Sequence, residues 1–239
     1  GAHDEARAGF GGVVVVTGAA GGVGRAVADR FRADGWRAVG LDSVFSGDSP
    51  DERHADVTDR DSIAAAISDL DQIDAVISNA GVLVRAPLAE TSPEDWQRTL
   101  DTNLSATFHL IGLTRERLAA GGGAIVAVSS VHAHATSPGA AAYAASKAGL
   151  EGLVRAAALE LADDGIRVNA VVPGATRTAM LPQDHAGFDR LVERTPLGRI
   201  AEPEEIAGVV AFLVGPDSAF ITGESLTVDG GVLGQLSTE

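Results

Sequence analysis

Hydrophobic positions along this chain alternate between two periods. Val13–Val16 is an unbroken β-branched run of the kind a doubly buried parallel strand carries. Val23, Val27 and Phe31 then recur at helical spacing, which predicts a helix from about Val23 to Ala33. Arg37–Leu41 is a second strand. Asp59 or Asp61 can cap a helix carrying Ile63, Ala66, Ile67 and Leu70, and Ile73–Ile77 is a third strand. Ser92-Pro93-Glu94-Asp95 combines a cap, a proline at the first helical position and acid in the first turn. It opens a long helix through Trp96, Leu100, Leu104, Phe108 and Ile111, ended by the glycines at 121–123.

Ala124–Val128 is the fourth strand, and the helix after it holds Tyr143 and Lys147 and runs to about Ala162. Gly165 turns the chain into strand Arg167–Val172, which Pro173-Gly174 stops; a helix from about Pro203 to Val214 and a strand Ser225–Val228 follow. Such alternation implies one α/β domain over residues 1–239, a doubly wound parallel sheet with helices on both faces. The irregular stretch 175–200 is expected to be a mobile substrate lid. Residues 1–10 stand outside the pattern. Their opening Gly1-Ala2-His3 has no initiator methionine, and the segment is expected to be disordered or a remnant of expression.

Composition narrows the chemistry. The chain has 239 residues, enough for a large core, and at 45% hydrophobic but 4% aromatic that core is aliphatic. It has no cysteine, which excludes disulfides, thiolate metal sites and cysteine nucleophiles. The net charge of −15 argues against nucleic acid or an anionic membrane as partner and disfavours acidic carrier proteins. Val13–Val16 is far too short to span a bilayer and no signal-peptide pattern precedes it, so the expected setting is cytoplasmic.

The first strand runs into Thr17-Gly18-Ala19-Ala20-Gly21-Gly22-Val23-Gly24 and then a helix. Glycines there let the backbone approach a pyrophosphate, and the helix N-terminus offers free N–H groups and a favourable dipole. Asp42 ends the second strand 18 residues after Gly24, near the offset of a carboxylate that holds an adenosine ribose and repels a 2′-phosphate. With Gly21 before Gly22 and Ser43 after Asp42, no basic residue stands where a 2′-phosphate would need one. NAD rather than NADP is the expected cofactor.

Tyr143 and Lys147 are the only tyrosine and the only lysine in the chain. Four residues apart on a helix, they share a face. An ammonium beside a phenol favours the ionised phenol, which predicts a lowered Tyr143 pKa suited to proton transfer.

The order and spacing of these segments resemble the short-chain dehydrogenase/reductase family, in its subgroup of roughly 250 residues. The resemblance spans nearly the whole chain. It rests on 17–24, Asp56-Val57, Asn79-Ala80-Gly81, Asn103, Ser130, Tyr143-x-x-x-Lys147, Pro173-Gly174 and Val228-Asp229-Gly230-Gly231. It implies a Rossmann-type fold and reversible hydride transfer between nicotinamide and a secondary alcohol or its ketone. By the same resemblance Tyr143 is the proton donor and acceptor, and Lys147 holds the nicotinamide ribose and stabilises the tyrosinate. Ser130, thirteen residues before Tyr143, bonds the substrate oxygen, while Asn103 anchors a water linking Lys147 to solvent.

Gly18, Gly22, Val23 and Gly24 would line the pyrophosphate. Asp56 and Val57 would contact adenine, and Asn79, Ala80 and Gly81 would lie against the adenosine ribose, with Ser78 replacing the family's usual first asparagine. Pro173, Gly174, Thr176 and Thr178 would bind the carboxamide and nearby phosphate. Family members commonly form dimers or tetramers, so a homo-oligomer, a homotetramer foremost, is implied. A 3-oxoacyl-thioester reductase and a non-catalytic NAD-binding regulator are the alternatives. The intact Ser130–Tyr143–Lys147 set weighs against the regulator, and a serine hydrolase lacks its G-x-S-x-G elbow.

Substrate identity is weakly written. Val82, Leu83, Val131, His132, Ala140, Gly174, Met180, Leu181 and Phe188 are expected pocket walls for a modest compound such as a sugar, cyclitol or hydroxysteroid. Ser129 is expected to pack or to bond the backbone. His132 and His134 are expected to be structural or solvated more often than substrate-binding, and no carboxylate accompanies them locally to make a metal site.

Overall fold

A computed structural model describes residues 11–181 and 187–236. The expected character of residues 1–10 and the central part of the expected lid (182–186) lie outside the described residues.

Seven parallel strands form one sheet: β1 (Val13–Thr17), β2 (Arg37–Asp42), β3 (Glu52–His54), β4 (Ala75–Ser78), β5 (Ala124–Val128), β6 (Arg167–Pro173) and β7 (Ser225–Val228). Their order is β3-β2-β1-β4-β5-β6-β7. The chain builds outward from β1 to one edge, then returns to β1's other side with β4. That reversal leaves a crevice beyond the C-terminal ends of β1 and β4, where sheets of this type take ligands. The α-helices among the described residues are α1 (Gly22–Ala33), α2 (Arg60–Ala66), α3 (Pro93–Leu100), α4 (Ala106–Ala119), α5 (Ala141–Glu160), α6 (Phe188–Arg194) and α7 (Pro203–Val214).

The strand period of two sorts β1 between two cores. Val14 and Val16 pack with Val27 and Phe31 of α1 and Ile206 and Val210 of α7. Val15 packs on the opposite face with Ile63 of α2, Leu110 of α4 and Leu150 and Val154 of α5. Helices therefore cover both faces, as the alternation requires.

Local expectations hold at the caps. Ser92 accepts from Asp95 N at 3.0 Å with Pro93 at the start of α3, and Asp59, not Asp61, caps α2. Three details differ. The third long strand is Ala75–Ser78; Asp74 just before it donates its N–H to Val13 O at 2.8 Å and accepts Val13 N through its side chain at 2.8 Å. The edge strand β3 carries charged residues and no apolar run, since only one neighbour and one edge need satisfying. The long central helix is not continuous: a π-helical segment, Asp101–Ser105, separates α3 from α4.

Candidate active site

The β1–α1 turn is shaped by glycine. Gly18 and Gly22 adopt φ of 67° and 54°, a region costly for other residues. At Gly24 a Cβ would stand 2.1 Å from Gly18 O, so the first turn of α1 folds directly onto the loop. Asn79, just past β4, locks this turn by donating Nδ2 to Thr17 O at 3.1 Å and Gly18 O at 3.3 Å. Thr17 Oγ1 reciprocates by accepting from the backbone N–H groups of Asn79 and Ala80. Asp42 reaches the same loop, its Oδ2 accepting from Ala20 N at 3.0 Å and its Oδ1 from Val44 N at 3.2 Å.

Opposite the loop, a Cβ on Gly22 would touch Thr178 Cγ2 at 3.2 Å. Ala20, Gly21, Gly22, Arg25, Arg177 and Thr178 border one surface cleft at the α1 N-terminus. Gly174 is held against Asp229, where a Cβ would lie 2.9 Å from Asp229 Cα, and Thr176 Oγ1 donates to Gly174 O at 3.1 Å. Val23 packs against the α1/α7 core and Val57 lies in the other. Asp56 is exposed, its carboxylate accepting from Thr58 N and Oγ1; those bonds hold its pKa below the usual value. Gly18, Gly22, Gly24, Asp42, Asn79, Ala80 and Thr178 thus gather around one turn, which borders a surface cleft through Gly22 and Thr178. Its close glycine packing, free helix N-terminus and carboxylate at the end of β2 fit a dinucleotide. Asp56 and Val57 lie in the stretch running from β3 to α2.

The second cluster sits where α5 begins. Tyr143 is half-buried and Lys147 is 3% exposed, one turn apart. Lys147 Nζ lies 5.6 Å from the Tyr143 ring centre and donates to Val128 O, the end of β5, at 2.7 Å. Ser130 follows β5 and bonds the phenol of Tyr143. Asn103 is buried in the π segment, accepts Val82 N at 2.8 Å and donates to Val82 O and Ser146 Oγ at 3.0 Å each. A Cβ on Gly81 would lie 3.5 Å from Asn103 Oδ1 and 3.6 Å from Lys147 Nζ, so these two polar atoms flank one small space. Both Asn103 donors are used, leaving Oδ1 with accepting capacity toward that space.

The expected lowering of the Tyr143 pKa is not what the surroundings produce. Burial raises it, and a hydrogen bond from Ser130 and the charge of Arg85 only partly offset that. Lys147 points its proton at a carbonyl instead, and its own burial brings its pKa down to about 8. Ser129 is buried and reaches backbone Lys147 O at 3.5 Å, as expected, and has a closer side-chain partner as well. Its hydroxyl donates to Glu151 Oε1 at 2.7 Å, and the other carboxylate oxygen lies 3.0 Å from His134 Nε2. Glu151 is 4% exposed and continues the Tyr143–Lys147 face by one more turn, a spacing visible in the sequence but not used. His132 stacks edge-on against Tyr143 at 5.4 Å and bonds Thr136 Oγ1 through Nδ1. Among the described residues no cluster of three or more metal-ligating side chains occurs.

A family model described as enoyl-(acyl carrier protein) reductase matches residues 18–233, which takes in both clusters. The chain belongs to the short-chain dehydrogenase/reductase family. It is an oxidoreductase of that family, whose dehydrogenases bind a nicotinamide cofactor and act on small molecules. It is 39% identical over 241 residues to cis-4-hydroxycyclohexanecarboxylate dehydrogenase of Sinomonas cyclohexanicum, covering 92% of this chain and 95% of that one. The ligand-free aldohexose dehydrogenase of Thermoplasma acidophilum superposes with a TM-score of 0.87 at 30% identity, covering 96% and 97% of the two chains. An uncharacterized short-chain type dehydrogenase/reductase of Sinorhizobium fredii is 39% identical over 246 residues, and the chain spans 45% of its length. No helix among the described residues is long and apolar enough to cross a membrane.

Proposed function

We propose that this short-chain dehydrogenase/reductase interconverts a small secondary alcohol and its ketone with NAD, using Ser130, Tyr143 and Lys147 as the reacting set and Asn103 behind them. The observation that carries the reading is the common placement of Tyr143, Lys147 and Ser130 at the C-terminal end of β5, beside the glycine turn that Asn79 and Asp42 hold. When bound, the nicotinamide supplies the hydride acceptor or donor.

In oxidation, Tyr143 as phenolate takes the alcohol proton while Ser130 holds the same oxygen. In reduction, Tyr143 returns a proton to the forming alkoxide. Lys147, protonated at neutral pH and confined beside the ring, supplies the positive charge that makes the phenolate accessible when substrate is present. Asn103 keeps Val82 and Ser146 in place and leaves Oδ1 facing the Lys147 ammonium, a route for the proton to leave. Asp42 favours NAD, because a 2′-phosphate would be brought against a carboxylate already held by Ala20 N. Pro173, Gly174, Thr176 and Thr178 are assigned to the carboxamide and nearby phosphate, Asp56 and Val57 to adenine, and Asn79, Ala80 and Gly81 to the adenosine ribose. Segment 175–200 is assigned as the lid.

A homo-oligomer is part of the reading. Phe108 on α4 is 62% exposed, Leu159 on α5 82%, and Phe220 fully so, apolar surface suited to burial against copies of the chain. Light scattering on the eluted protein measures this directly. The activity is tested by reduced-nicotinamide absorbance across sugars, diols and ring alcohols with NAD. Turnover of at least one secondary alcohol, lost in Tyr143→Phe, supports the proposal; NAD binding without turnover of any would replace it with a regulator.

A further inference from the structure

The rim of the site carries a charge that the chemistry above does not use. Arg85 is exposed and follows the half-buried run Val82–Val84 in the loop beyond β4. That loop is held at both ends of the run. Val82 exchanges two hydrogen bonds with Asn103, and Ala86 N donates to Gly139 O at 3.1 Å. Arg85 Nη1 donates to Ser137 Oγ at 3.3 Å, which places the guanidinium against the segment joining Ser130 to α5. From that segment His132 sets its ring against Tyr143. Burial dominates both rings, raising the pKa of Tyr143 and lowering that of His132. The Arg85 charge acts on each as well, favouring phenolate and disfavouring imidazolium. Arg85 is therefore within electrostatic reach of the reacting group.

Its hydrogen-bond partner is a hydroxyl rather than a carboxylate. Eight of the sixteen arginines among the described residues sit within ion-pair distance of a carboxylate. Arg85 does not, although the chain has 33 acidic side chains against 18 basic ones. An exposed cation with no carboxylate partner, within electrostatic reach of Tyr143 in so acidic a chain, is available to an anion from outside.

We propose that Arg85 docks a substrate carboxylate, so that the substrate is a secondary hydroxy acid or the corresponding keto acid, its carbinol carbon lying at Ser130 and Tyr143. This rests on the dehydrogenase reading and deepens it. The planar guanidinium fork matches a carboxylate with two parallel hydrogen bonds. The apolar Val82–Val84 run separates that contact from the Lys147 ammonium, giving the carboxylate one cation to choose. His132, biased toward its neutral form, adds no competing charge near neutral pH. The net charge repels anions at a distance, but a local cation beside low-dielectric walls prevails at contact.

The test separates binding from turnover. Calorimetry is run on Tyr143→Phe protein saturated with NAD, comparing 3-hydroxybutyrate, 4-hydroxypentanoate and 3-hydroxycyclohexanecarboxylate each with its own carboxamide. At least one acid should bind about 10–100-fold more tightly than its amide, the range of a charge-assisted contact. Adding Arg85→Ala should bring that ratio close to one, and Arg85→Lys should keep part of it. No acid preferred to its amide, or a preference that survives Arg85→Ala, overturns the proposal. A wild-type protein that binds an acid through Arg85 yet oxidises neither it nor any neutral alcohol upholds the carboxylate site and refutes the dehydrogenase reading.

Discussion

The ammonium of Lys147 sits 5.6 Å from the ring centre of Tyr143 and gives its hydrogen bond to Val128 O rather than to the phenolic oxygen. The two groups are neighbours whose burial acts in opposite senses on their protons, upward for the phenol and downward for the amine. Both shifts favour neutral groups. The pair is therefore quiet until something polar enters the space between them and Ser130.

Stability should report this directly. The folded Lys147 pKa is about 8 against 10.5 for a free lysine, so between those values the unfolded chain binds more protons. Stability from this group must rise with pH across that window, by on the order of 3 kcal/mol, and be level below it. Urea melts of wild type and Lys147→Met, without cofactor, should show a difference moving in wild type's favour from pH 8 to 10.5. A pH-independent difference would count against a buried, charged Lys147.

Tyr143→Phe removes the phenol proposed to move the substrate proton and leaves the glycine turn untouched. Turnover should fall by about 10²–10⁴-fold or more. NAD affinity, followed by nicotinamide fluorescence on reduction or by calorimetry, should change less than about threefold. Near-normal turnover would take the phenol out of the mechanism.

Asp42→Ala leaves Ala20 N without its acceptor and removes the charge proposed to discriminate against a 2′-phosphate. The ratio of kcat/KM for NAD to that for NADP should drop at least about tenfold, mostly through KM, given the modest energy of one exposed charge contact. An unchanged ratio would assign the preference elsewhere.

Glu151→Ala strands the buried Ser129 hydroxyl, whose remaining acceptor is Lys147 O at 3.5 Å, and frees His134. Loss of a buried acceptor costs about 1–3 kcal/mol, readable as a shift in the urea midpoint. Glu151→Gln, which keeps an acceptor for Ser129, should recover most of it.

Much of this was legible from residues alone. Val13–Val16, Ser92-Pro93 and Pro203–Val214 each satisfy local and tertiary demands together, so their pattern and their structure agree. Strand β3 was not legible, because a three-residue edge strand needs no apolar signature. The glycine turn was recognisable, but Asn79 as its clamp depends on β4 ending beside β1. The Tyr143 shift was expected with the wrong sign, since spacing shows that two groups are close but not how little water reaches them. Arg85 and Glu151 were passed over for a related reason: an isolated charge in an apolar run and a helical glutamate are common, and only the fold brings them to Tyr143 and Ser129.

The π segment at Asp101–Ser105 has a consequence for how this rod tolerates change. One surplus residue there resets the angular phase of everything after it by about 100°. Deleting a single residue there would heal the hydrogen-bond ladder and leave Leu110, Thr114 and Leu118 facing the sheet, whereas straightening the segment at full length would swing them off it. The irregularity acts as a gear between two halves of one rod: the first half aims Asn103 at the Val82 backbone, while the second keeps its own stripe meshed with the layer beneath.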